Sequence, residues 1–74
     1  MSKSRENFVR LAENRTNKVL KQIDLLSNLS NKTNYAYTDE DIQKIFSAIN
    51  KRVKDSEKKF QLALQPERKD NFKL

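Results

Sequence analysis

The sequence predicts an all-α protein: an antiparallel two-helix hairpin that dimerises into a four-helix bundle and carries a flexible C-terminal tail. Three observations predict it. Two long segments place apolar residues at helical spacing, a helix-start signal at Thr38 separates them, and Pro66 stops the second. With 74 residues, 35% of them apolar, the chain forms one small domain at most, at the lower edge of what a single core stabilises unaided.

In the first segment Phe8, Ala12, Val19, Ile23 and Leu26 recur on one helical face. Leu11 and Leu29 flank that face on one side, Val9 and Leu20 on the other. Ser4 is the expected N-cap, with Glu6 in the first turn. Asn31 or Asn34 is expected to end the segment in a left-handed conformation, a role Asn accepts where glycine is absent. The helix is therefore placed at about residues 4–30, with a turn at about 31–37.

The second segment opens on Tyr37-Thr38-Asp39-Glu40-Asp41-Ile42. Thr38 is positioned to cap, and Asp41 stands where a capping box usually has Glu or Gln. Tyr37 and Ile42 have the spacing of a hydrophobic staple, and three acids lie where the helix dipole is positive. Ile42, Ile45, Phe46, Ile49, Val53, Phe60, Ala63 and Leu64 make one stripe, interrupted only by Ser56. A proline cannot continue a helix and biases its predecessor away from helical geometry, so this helix is placed at about 39–65.

The two helices have nearly equal length, and the short connection makes them antiparallel neighbours within a domain of residues 1–65. A lone hairpin leaves half of each stripe wet. The wide arc of the first helix implies a second contact surface, hence a homodimer. Tyr35 and Tyr37 are expected to pack over the turn. Residues 66–74 carry Phe72 and Leu74 in a charged background and are expected to be disordered alone.

Composition excludes much chemistry. The chain has no cysteine, histidine or glycine. It therefore lacks disulfides, thiolate or imidazole metal ligands, the commonest general base, and glycine-rich phosphate cradles. Asp39 and Asp41 carry oxygen ligands suited to a hard cation, but capping already accounts for them. No enzymatic activity, cofactor or metal is expected. No apolar run approaches the roughly 18 residues that span a membrane, and Met1–Glu6 enters a polar helix and not a signal-peptide core. A cytoplasmic protein without membrane attachment is the expectation.

The polar faces are basic. Lys3, Arg10, Asn14, Asn17, Lys21 and Asn28 share a narrow arc of the first helix, and Lys44, Lys51 and Lys58 repeat every seven residues on the second. These side-chain types contact phosphates and base edges, although a solvated helix face has the same composition. Residues 1–15 carry four basic and two acidic groups, residues 51–74 eight and four, and residues 16–50 four of each. All of the +6 net charge thus lies in the two outer stretches, which an antiparallel hairpin brings to its open end. A pole of this kind attracts polyanions. Eleven lysines and eight asparagines also fit an AT-rich genome.

Leu11-Ala12-Glu13-Asn14-Arg15-Thr16-Asn17-Lys18-Val19-Leu20, with Asn28-Leu29-Ser30-Asn31 and Asn34-Tyr35-Ala36-Tyr37-Thr38, is similar to small uncharacterised bacterial helical proteins, some carried on mobile elements. The likeness covers about residues 8–60. It implies a bacterial intracellular setting and brings no activity, cofactor or binding residue.

Two readings of function follow. The first is a non-enzymatic accessory or regulatory protein that associates with DNA or RNA through Lys3, Arg5, Arg10, Lys51, Arg52, Lys58 and Lys59. The second is a protein-binding adaptor or inhibitor that docks through Val9, Leu20, Leu25, the tyrosines and the tail. Arg15 lies in the apolar arc; either its stem covers the core edge while its head reaches solvent, or it pairs with a carboxylate across the dimer interface.

Overall fold

The computed structural model describes residues 2–65. Among these the only regular structure is helical: α1 (Lys3–Ser27), a 3-10 helix (Asn28–Ser30) and α2 (Asp39–Leu64). The all-α class holds. The chain divides after Ala36 into two units, one built on α1 and one on α2.

α1 is capped two residues before the expected cap. Ser2, in extended geometry, accepts the Arg5 N–H on its hydroxyl at 3.1 Å, and its carbonyl accepts the Glu6 N–H at 3.0 Å. Ser4 lies in the first turn instead. Both serines can cap; the earlier start gains further intrahelical bonds, and Lys3 and Ser4 offer no obstacle to helix.

The expected left-handed end does not form, and no described residue has positive φ. The chain narrows into the 3-10 helix, where the Asn28 N–H is shared among the carbonyls of Asp24, Leu25 and Leu26. Asn31 then has φ −70° and ψ 103°. Its side chain accepts the Thr33 N–H at 2.9 Å, and its carbonyl accepts those of Asn34 and Tyr35 at 3.1 and 3.0 Å. This side-chain turn satisfies the backbone without the steric cost of a left-handed residue.

The capping box of α2 forms as its sequence requires, with Asp41 as the reciprocal acceptor. Tyr37 and Ile42 are both half-buried, in keeping with a staple. At the other end Gln65 is extended, φ −68° and ψ 141°, as the residue before a proline prefers. The expected tail, residues 66–74, lies outside the described residues.

No described residue is buried. Val9, Leu11, Ala12, Ile23 and Leu26 on α1, and Ile42, Ile45 and Ile49 on α2, are half-covered by their own helix. The rest of both stripes is exposed, from Phe46 at 39% to Phe60 at 58% and Leu64 at 80%. Fully burying such a side chain contributes about 1.5–3 kcal/mol. Helices in proteins draw most of their stability from such packing, so each stripe is a surface whose stabilisation is still to be gained.

Candidate functional site

The seven basic candidates are all exposed. On α1, Lys3 and Arg10 are seven residues apart and share the polar face with Asn14 and Lys21. Arg10 donates to the Asn7 side-chain oxygen at 3.2 Å, which holds its guanidinium along the helix. Arg5 is not part of that face. It projects on the apolar side, with its guanidinium carbon 5.8 Å from the Phe8 ring centroid. A cation over an aromatic face in water contributes about 0.5–1 kcal/mol, so Arg5 shields Phe8 more than it extends a phosphate-binding row.

On α2, Lys51 and Lys58 continue the row begun by Lys44, directly opposite the apolar stripe. Arg52 and Lys59 form a second row beside it. Lys51 is engaged: its Nζ lies 2.9 Å from Asp55 Oδ2, with the two side chains 76% and 52% exposed. An exposed pair of this spacing contributes about 0.3–0.5 kcal/mol and is screened by salt. Lysine preceding its acid is also the weaker orientation. The bond therefore leaves Lys51 available to a phosphate, and it was legible in the sequence as Lys51 and Asp55 four apart. The structure groups the candidates as two short rows on α2 and one on α1.

Of the apolar candidates, Leu20 is 54% exposed and Leu25 47%, whereas Val9 is half-covered. Val9 and Leu20 border the α1 arc, Arg15 stands exposed within it, and Leu25 lies on the far side between Lys18 and Lys21 in azimuth. One apolar residue escaped the sequence reading. Leu62, 63% exposed, sits on the basic face of α2 near Lys51 and Lys58. The signal was its spacing: it falls four residues after Lys58, and not on the Phe60–Ala63–Leu64 stripe.

A shallow depression on α1, lined by Ala12, Glu13, Thr16 and Asn17, encloses nothing. Among the described residues no cluster of three or more Asp or Glu could hold a metal ion. No described helix is long and apolar enough to cross a membrane. Comparison with protein-family models, with curated proteins and with solved structures returns no match for the chain.

Proposed function

We propose that the chain closes into an antiparallel helical hairpin, that two copies pair into a four-helix bundle, and that this dimer is a non-enzymatic accessory protein that associates with nucleic acid. The hairpin and the dimer are supported by the two uncovered stripes, which only packing against another helix can stabilise. The nucleic-acid role rests on one observation. The whole net charge lies in residues 1–15 and 51–74, which such a hairpin gathers at one end. Lys3, Arg10, Lys51, Arg52, Lys58 and Lys59 carry the attraction, with Arg5 in a lesser part. The setting is the bacterial cytoplasm, and the partner is DNA or RNA.

Fluorescence anisotropy with labelled duplex and single-stranded probes, titrated from low to physiological salt, tests this reading. Micromolar or tighter binding at physiological salt, with a slope of about −0.9 per phosphate contact on duplex, supports it. Binding that is lost by physiological salt refutes it. A second reading is favoured by Leu25 and Leu62, exposed apolar residues that lie off both stripes. Here the protein is an adaptor that docks onto a protein partner, and recovery of that partner in stoichiometric amount after nuclease treatment is the outcome expected.

A further inference from the structure

From Ile42, steps of four and three residues along α2 reach Phe46, Ile49, Val53, Ser56, Phe60 and Ala63, of which Ser56 alone is polar. This is the seven-residue repeat of helices that interlock side chains with a neighbour. None of these residues is buried, and Phe46, Val53 and Phe60 are 39%, 51% and 58% exposed. The same steps along α1 from Phe8 pass through Arg15 and Gln22, so that face is broken by a charge and an amide.

The two flanks of the α2 stripe carry different charge. Ile45, Arg52 and Lys59 stand on one flank, and Gln43, Asn50 and Glu57 on the other. Arg52 and Glu57 are both exposed. Five residues apart, they stand about 140° apart around the helix, so they cannot meet within one copy. Lys51 and Asp55, which can meet, do so at 2.9 Å away from the stripe.

We infer that the occupant of the α2 stripe is the α2 stripe of a second copy, lying parallel and in register. The inference rests on the dimer of the reading above and adds its contact face and direction. Charge complementarity selects the arrangement. In a parallel pair, each residue of the basic flank meets the residue five positions further on in the other copy. Arg52 of one copy then meets Glu57 of the other, and symmetry repeats the pair. An antiparallel arrangement sets like flank against like flank: Arg52 meets Lys59 or a second Arg52, and Glu57 meets no cation. A parallel pair slipped by one repeat sets Arg52 against Asn50 or Leu64, and both ion pairs are lost. The in-register pair also sets Ser56 against Ser56, where slipped ones set it against Ile49 or Ala63. Lys44, Lys51 and Lys58 lie opposite the stripe and stay outward on both copies.

Sedimentation equilibrium of the full chain at low salt, without nucleic acid, tests the pairing. Arg52→Glu opposes two carboxylates and Glu57→Arg two guanidiniums, so each is expected to raise the dissociation constant by roughly tenfold. An equimolar mixture of the two variants is expected to recover near-natural affinity, because each copy supplies the charge that the other lacks. The chain has no cysteine of its own, so single substitutions report proximity. Ala63→Cys is expected to form a disulfide between copies at least roughly tenfold faster than Ser47→Cys, which lies off the stripe. Antiparallel helices that keep the stripes in contact hold the two 63 positions at least about 15 Å apart, beyond the roughly 7 Å that a disulfide spans. Circular dichroism of each variant verifies that the helices persist. Tighter association of Arg52→Glu, or closure of Ala63→Cys no faster than the control, overturns the parallel pairing and leaves the dimer standing. A natural chain that stays monomeric at every concentration overturns both. Parallel association of a chain that binds no nucleic acid keeps the pairing and refutes the nucleic-acid role.

Discussion

Thr38 and Asp41 hold each other's backbone. The Thr38 Oγ1 accepts the Asp41 N–H at 3.1 Å, and the Asp41 Oδ2 accepts the Thr38 N–H at 2.9 Å. Two side chains thus satisfy two N–H groups that an uncapped helix leaves to water, and they fix where α2 starts.

Thr38→Ala is therefore expected to destabilise the helical state by about 1 kcal/mol, with Asp41→Ala costing a similar amount. Because the two bonds are reciprocal, the double variant should lose less than both single losses together. Urea unfolding followed by circular dichroism measures all three. Fully additive losses would show that each residue caps alone.

The apolar stripes make helicity depend on assembly. Phe60→Ala and Ile49→Ala each remove a side chain now exposed or half-covered, so in an isolated helix they would change little. If the stripes pack, each should cost about 2–5 kcal/mol, and the unfolding midpoint should rise with protein concentration. A midpoint independent of concentration, together with near-neutral substitutions, would leave the stripes without a partner of their own kind.

Lys51→Glu with Lys58→Glu reverses two charges in one row of α2. If both meet phosphate, the salt slope of duplex binding should fall by about 2. Asp55→Asn is the opposite probe, since it releases Lys51 from its 2.9 Å partner. It should tighten binding while moving stability by less than about 0.5 kcal/mol. An unchanged slope in the charge-reversed protein moves the contact away from α2.

The helical class and the start of α2 were legible because local chemistry decides them: a capping box needs only neighbouring residues, and a proline acts on the residue before it. The start of α1 was less so, since Ser2 and Ser4 cap equally well on paper and only the intrahelical bonds gained over two further residues separate them. Its end was misread because a left-handed Asn31 competes with an Asx turn made by the same side chain, and sequence does not rank the two. At the candidate site, Arg5 counted as one more positive charge until its azimuth placed it over Phe8. Leu62 was passed over for a similar reason. Exposure and azimuth decide its meaning, and composition does not report them.

Arg15 is the sharpest test of what the α1 stripe does. It occupies a position on the α1 stripe, between Ala12 and Val19. Exposed as it is, it costs nothing; closed into a bundle, its charge must reach water or a carboxylate. Arg15→Leu should then stabilise the assembled state by on the order of 1–4 kcal/mol and loosen its register. The first effect is readable as a higher unfolding midpoint. Arg15→Ala shortens the side chain without filling the layer and should weaken assembly. A destabilised Arg15→Leu protein would mean instead that the bundle relies on Arg15 pairing with a carboxylate. Arg15→Lys, which keeps the charge, should then recover part of the loss.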